Sequence, residues 1–575
     1  MRERKGAFFT PQMWVQLSQR YFSLVLGERW QDEYDIWDCC GGTGNLEVGL
    51  VNKYRIWVST LDQQDVDVMH ERIKNGANLL ESHVFRFDFL NDSFDKLPQG
   101  LKDIIFNPAR RRKFVIYINP PYAEAGDIRQ RTGTGQNKTD VSVVHSTYDR
   151  YVDKIGLAGR ELFAQFLMRI RDEIPSCIVG QFSKLKHLQS PNFKAFRQEF
   201  HGALEKCFLV TADTFDNVKG KFPIGFFVWR LGEGTFTETT ADVYDRNGEF
   251  IGVKTLLSYD NEHSINDWLI ETRNRPSMLQ LGFLSTRAHD VQDINTVYIK
   301  RDKALIKSAR GTWITDANVI EAGVYMGVCH SIEVDWLNDR DQFLYPGNGW
   351  NDDVEFQTDC LVFTLFSGAN YVKSADGVNH WIPFTEEEVG AKDCFASHFM
   401  GDLISGRAVS TKPSQTGTAA SSMPPYQVEL FADARDPRPY QASTLQDSKT
   451  PSGESNATSR PHKTVNAVGP VNNDSETLCL CVKGNLSPAA RAVLEAGREL
   501  WRYYHAQPNA NPNASYYDIR LHFQGMKKTA SGKEQMNATS SDETYNALLA
   551  NLRAAHKTLA AQIVPKVYAY GFLKR

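Results

Sequence analysis

Four short apolar runs stand at intervals along the first 120 residues, and each hands over to a polar side chain. They cover residues 34–38, 54–61, 82–87 and 114–118, and they end at Asp38, Asp62, Asp88 and Asn119. The run 114–118 is β-branched or aromatic throughout and predicts a strand buried on both faces, and the other three read as strands. Helical spacing of apolar residues over 12–26 predicts a helix, with Thr10 as N-cap and Pro11 at the first helical position. Residues 45–50 read as a helix start, 156–171 as a helix, 176–182 as a fifth strand and 193–204 as another helix. Residues 207–212 and 224–230 read as an antiparallel pair that finishes the sheet. Alternating strands and helices predict an α/β, doubly wound, mostly parallel Rossmann-like sheet over 1–234.

Beyond residue 234 the regular alternation fades. Residues 235–405 carry many aromatics and turns, such as Tyr345 to Trp350 and Asn379 to Phe384, and predict a mixed region. Residues 406–477 are rich in Ser, Thr, Pro, Gly and Asn, which predicts a flexible linker. Helices are expected over 486–501, with Ser487 as N-cap, and over 542–563, so 478–575 reads as a helical C-terminal domain. Its last ten residues are basic and aromatic.

Composition narrows the function classes. At 575 residues the chain is too long for one core. A formal net charge of -4 argues against an overall basic coat for nucleic acid, though a local basic cleft remains open. The 9 cysteines lack paired metal spacing, so no metal site is expected and a reduced, cytoplasmic setting is the simplest reading. No apolar run reaches the length of a membrane span, and no membrane partner is expected.

The chemistry concentrates where the strands end. Pro120 and Pro121 cannot continue a ladder, so Asn119 and Tyr122 sit at the carboxyl end of a core strand, where open α/β sheets bind ligands. The Asn119 side-chain carbonyl and the Pro120 backbone carbonyl can accept the two protons of a planar –NH2 group. Its lone pair is then turned toward an electrophile, and the Tyr122 ring offers a stacking face. After Asp38 the segment Cys39-Cys40-Gly41-Gly42-Thr43-Gly44 allows a tight turn, with Gly42 and Gly44 permitting close approach of a ligand. Asp62 is placed for ribose hydroxyls, and Asp88 for an adenine amino group with Phe89 beside the ring. Phe8 and Phe9 read equally as core or as the border of a cofactor pocket. The polar segment 123–140, with Arg129, Arg131 and Lys138, reads equally as a loop or as a lid touching DNA phosphates.

Taken together, Phe8-Phe9-Thr10-Pro11, the loop from Asp38 to Gly44, Asp88-Phe89 and Asn119-Pro120-Pro121-Tyr122 resemble the S-adenosylmethionine-dependent DNA adenine-N6 methyltransferases. The order looks like the gamma arrangement, in which these elements precede a target recognition domain, and the resemblance covers roughly residues 5–232. It implies that Phe8, Thr10, Asp38, Gly42, Gly44, Asp62 and Asp88 surround S-adenosylmethionine. It implies that Asn119, Pro120 and Tyr122 hold the target adenine, and that an aromatic near Phe222 walls the flipped base, with core packing as the rival role for Phe222. Cys39, Cys40 and Gly41 depart from the Pro, Ala and Cys common in this loop. Residues 235–405 would then recognise the DNA target, and the C-terminal helices would complete a DNA clamp. The expected partner is double-stranded DNA, with a separate restriction endonuclease or specificity subunit if the chain serves a restriction-modification system. A solitary bacterial, archaeal or phage-borne methylase fits as well. Rival readings are an amino-methyltransferase for RNA or protein glutamine, and a DNA-binding protein with an inactive methyltransferase fold.

Overall fold

The computed structural model describes residues 9–122, 143–216, 218, 220–232, 234–286, 290–306, 310–407, 486–529 and 532–574. The expected linker falls almost wholly outside them, as does the segment 123–140.

The first helix, α1 (Gln12–Leu26), buries Trp14, Val15, Ser18, Tyr21 and Phe22 and stops at Gly27, whose φ is 94°. Strands β1 (Asp35–Asp38) and β2 (Ile56–Thr60) follow, then helix α2 (Gln63–Lys74) and strand β3 (Val84–Arg86). Strand β4 (Phe114–Ile118) is buried at every position, as its apolar sequence requires. Helices α3 (Ser146–Ile155) and α4 (Leu162–Glu173) lead to β5 (Ile178–Lys184). The sheet then adds β6 (Gly202–Thr211), β7 (Pro223–Leu231), β8 (Glu238–Tyr244) and β9 (Phe250–Leu257).

These strands form one nine-stranded sheet in the order β3-β2-β1-β4-β5-β7-β6-β8-β9. The five strands from β3 to β5 are parallel, and β7 runs antiparallel to both β5 and β6. The architecture is thus the expected doubly wound α/β sheet. Its sheet continues past residue 234, because β8 pairs with β6 and β9 pairs with β8. Apolar cores lie on both faces: one holds Trp37, Phe89, Ile116 and Phe166, the other Phe22, Val58, Tyr117 and Phe226.

Three local expectations change. Residues 45–50 form turns rather than a helix start, with Gly49 at φ 95° among them. The helix expected over 193–204 ends at Glu199, because Gly202 already begins β6. Residues 156–160 form a 3-10 turn, and the following helix begins at Leu162.

The rest of the chain builds a second unit. Strands β10 (Gln280–Thr286), β11 (Val297–Lys300) and β12 (Gly311–Thr315) make a small sheet. Helices α5 (Val319–Ser331), α6 (Val354–Leu365), α7 (Pro488–His505), α8 (Tyr516–Gln524) and α9 (Glu543–Ala569) pack beside it. Ser487 caps α7 as expected, accepting from the Ala490 amide at 3.0 Å. One apolar core runs from Ile265 through Leu361 and Trp501 to Phe572. The helices from Pro488 onward therefore complete a core begun before residue 407, where the sequence suggested two separate domains. Lys254 of β9 joins the two units by an ion pair with the buried Asp341 at 2.8 Å.

Candidate functional site

Strand order reverses direction between β1 and β4. From β1 the sheet grows through β2 to β3, and from β4 it grows through β5 the other way. A crevice opens outside the carboxyl ends of the strands at such a switch point. Asp38 ends β1 and Asn119 follows β4, so sequence order alone delivers both to the two sides of that crevice. A cavity of about 340 Å³ lies there.

Of the residues singled out from sequence, Thr10, Asp38, Gly42, Asp62, Asp88, Phe89, Asn119 and Pro121 line this cavity. Phe9, left open between core and pocket, lines it too. Gly44, Pro120, Tyr122 and Phe222 do not belong to the lining. Phe222 packs, partly buried, against the core on the α1 face of the sheet. Phe8, Arg129, Arg131 and Lys138 lie outside the described residues. The lining also includes Gly41, Asp65, His145 and Phe166, which sequence reasoning missed. Asp65 had a signal, because it stands one helical turn from Asp62. Phe166 sits on an apolar helix face and was legible only as core, yet it stacks on Phe89 with ring centroids 5.0 Å apart.

Gly41 is required by packing. A Cβ there would lie 2.4 Å from Cγ1 of the buried Val58 on β2. Gly42 and Gly44 instead adopt positive φ, 56° and 77°. Arg72 of α2 donates to the carbonyls of Thr43 and Gly44 and holds the turn from outside.

Asn119 is fixed from two directions. Its Nδ2 donates to Thr10 Oγ1 at 2.8 Å, and its Oδ1 accepts from the Tyr122 hydroxyl at 2.6 Å. Two expectations are corrected here. Thr10 does not cap α1: Pro11 occupies the N-cap position with no side-chain cap bond, and the Thr10 hydroxyl serves Asn119 instead. Tyr122 does not present an open stacking face, since only 7% of it is exposed and it packs in the core containing Tyr117. Its hydroxyl finds a partner in Asn119, which is what a buried phenol needs. Behind it, Lys184 Nζ donates to the Tyr122 carbonyl at 3.3 Å.

The acids differ in their surroundings. Asp38 is buried, and its Oδ1 accepts from the Cys40 amide at 2.9 Å. Burial pushes its carboxyl well above the ordinary range, and Glu47, buried beside it, is pushed up for the same reason. Asp88 accepts from the Leu90 amide at 3.1 Å and from Asn91 Nδ2 at 2.9 Å, so it also builds the turn after β3. Asp62 precedes α2 without a side-chain cap bond.

The described wall thus carries four carboxylates, at Asp38, Asp62, Asp65 and Asp88, and no lysine or arginine. Such a wall repels phosphate and suits a ligand with cationic and hydroxyl groups. Aromatic side chains from Phe9, Phe87, Phe89 and Phe166 supply flat apolar surface. Among the described residues no cluster could hold a metal ion, and no helix is long and apolar enough to cross a membrane.

No protein-family profile matches the chain, and no curated protein does. Solved structures do match. The type IIG restriction endonuclease BpuSI is 18% identical over 42% of this chain and 28% of its own, with a TM-score of 0.29. The methyltransferase subunit of a type I restriction-modification system from Streptococcus thermophilus is 14% identical over 42% of this chain and 47% of its own, with a TM-score of 0.29. DrdV in complex with DNA is 14% identical over 51% of this chain and 37% of its own, with a TM-score of 0.34. The chain spans less than half the length of each of these proteins.

Proposed function

We propose that this chain is an S-adenosylmethionine-dependent DNA methyltransferase of the gamma arrangement that modifies adenine N6 in duplex DNA. The observation that carries the reading is the junction of two features at one switch point. An acidic, aromatic cavity without lysine or arginine among its described residues meets the anchored amide of Asn119. Dinucleotides and nucleoside triphosphates need cationic or amide partners for their phosphates. S-adenosylmethionine has none: it offers an adenine, a ribose, an ammonium and a sulfonium, with one carboxylate as its only anion. The residues fit all but that carboxylate. Asp62 and Asp65 are placed for ribose hydroxyls, the pair Phe89 and Phe166 for the adenine, and Asp38 for positive charge. When bound, the cofactor supplies an activated methyl on sulfur.

The protein's own contribution is positioning. A stacked adenine must leave the duplex to reach the cavity, at roughly a few kcal/mol. Asn119 Oδ1 can accept one N6 proton, while the Pro120 carbonyl accepts the second. Thr10 keeps the amide from turning its nitrogen toward the base. N6 then directs its lone pair into the cavity rather than into the ring. Phe222 serves as the wall of the flipped base, and the polar segment with Arg129, Arg131 and Lys138 as the contact to phosphates. Residues 235–405 and 478–575 complete the grip on DNA. A separate restriction endonuclease or specificity subunit is the expected partner in a restriction-modification setting.

The test offers methyl-labelled S-adenosylmethionine with unmethylated duplex DNA, tRNA or total cell protein. Label in DNA is expected. Label confined to RNA or protein would replace this reading with another amino-methyltransferase. Binding of cofactor without any transfer would indicate an inactive fold.

A further inference from the structure

The carboxylate of S-adenosylmethionine meets a wall with four carboxylates and no lysine or arginine among its described residues. An anion held there needs N–H or O–H donors to offset that repulsion. The carboxylate and the ammonium of an amino acid hang from one carbon. A donor for the first therefore has to stand close to the acid that holds the second, which is Asp38.

Asn45 meets that condition. It lies on the turn that leaves Asp38, and the turn carries it into the cavity lining. Its amide is oriented from behind. Arg72 of α2 directs Nη1 to Asn45 Oδ1 at 3.3 Å, and to the carbonyls of Thr43 and Gly44. A guanidinium only donates, so the end of the amide that meets it is the oxygen and the other end is the –NH2. Arg72 stands outside the lining and Asn45 within it, which turns the –NH2 to the cavity side. Among the described residues Asn45 Nδ2 donates to no other group.

The wall has other side-chain donors, and their positions differ. Asn119 Nδ2 serves Thr10 at 2.8 Å, and His145 meets Asn91, the partner of Asp88, at 3.1 Å. Thr10 keeps its hydroxyl proton but brings no charge. Asn45 is backed by a cation whose three bonds in the turn all end on neutral oxygens. A cation on the amide oxygen polarises the amide and strengthens its N–H donors.

We infer that Asn45 binds the carboxylate of the methyl donor, with the charge of Arg72 relayed through its amide. The cavity then selects a cofactor with an intact amino-acid end, although its wall is acidic. This rests on the cofactor assignment made above for the same cavity.

Calorimetry tests it with S-adenosylmethionine and its decarboxylated analogue, on the full chain, Asn45→Asp and Asn45→Ala, with thermal unfolding of each. The analogue keeps the adenine, ribose, sulfonium and amine and lacks only the carboxylate. Asn45→Asp keeps an oxygen for Arg72 and sets a second, negatively charged one against the cavity. It is expected to lose about tenfold or more in affinity for S-adenosylmethionine and to bind the analogue within about threefold of the parent, or more tightly. Asn45→Ala is expected to weaken S-adenosylmethionine by about tenfold and the analogue by less than about threefold. An equal loss for both ligands would overturn the inference, because Asn45 would then shape the turn and not read the carboxylate. Unchanged affinity for S-adenosylmethionine in Asn45→Asp would overturn it too, and either result leaves the cofactor assignment standing. Should Asn45→Asp fail to fold, Asn45→Ala decides alone. If the parent chain binds no S-adenosylmethionine, the cofactor assignment itself fails, and this inference with it.

Discussion

Asn119 is held before any substrate arrives, and this is where single atoms decide activity. An asparagine at the mouth of a cavity could rotate and offer donor or acceptor alike. Here Thr10 and Tyr122 take opposite ends of the amide, so its carbonyl edge is set. The work expected of the Tyr122 ring therefore passes to its hydroxyl. Tyr122→Phe separates the two roles, since it keeps the ring and removes the bond. Loss of a hydrogen bond of about 1.4 kcal/mol corresponds to a tenfold fall in kcat, with cofactor affinity unchanged. Steady-state kinetics on duplex DNA checks this, and a Tyr122→Phe enzyme with full kcat would return the ring to a stacking role.

At the scale of elements, helix α1 carries the site as much as the strands do. Phe22 of α1 lies in an aromatic cluster with Trp30, Tyr117 and Phe226 and is fully buried. It rests on Gly180 of β5, where an added Cβ would come within 2.0 Å of Phe22 Cζ. The enclosed ring has no room to retreat, so Gly180→Ala should destabilise by about 3 kcal/mol and displace α1, and Thr10 with it. Phe22→Leu in the same chain should restore part of that stability. Urea titrations of the single and double variants measure it, and simple additivity of two losses would contradict the contact. Legibility at this scale had a clear physical limit. The strands, their acidic ends and Asn119 were readable because runs rich in β-branched and aromatic residues and the Pro120-Pro121 stop are local signals. The roles of Thr10, Gly41 and Gly180 were not. Each depends on a partner on another element: Asn119 is 109 positions from Thr10, and Phe22 lies on a different layer from Gly180. The helix expected at 193–204 failed for a related reason, since its C-terminal part was drawn into the sheet by pairing with β7.

At the scale of the whole molecule, two units share one chain and are joined by Lys254 and Asp341. Each unit encloses a neutral histidine. Burial holds His187 of the sheet unit down to about 3 and His556 of the helical unit to about 4, against an ordinary value of 6.5. His556 also stacks on Phe363 with ring centroids 4.0 Å apart and bonds its carbonyl at 2.9 Å. Both histidines have depressed values, so their contribution is present above pH 6.5 and is lost as pH falls toward 4. The slope is about 1.4 kcal/mol per pH unit for each histidine. Urea midpoints at pH 7, 5.5 and 4.5 should therefore fall for both units, and equal midpoints at pH 7 and 4.5 would contradict this account of the cores.

The central claim is that Asn119 presents an adenine amino group to a methyl donor. It is tested most directly by digesting duplex DNA after incubation with methyl-labelled S-adenosylmethionine and identifying the labelled nucleoside. The parent chain and Asn119→Ala are compared at equal cofactor occupancy. The account predicts label only in N6-methyladenine, with the rate reduced by roughly a hundredfold or more in Asn119→Ala. Label in a methylated cytosine, or an Asn119→Ala chain that works at the parent rate, would contradict it.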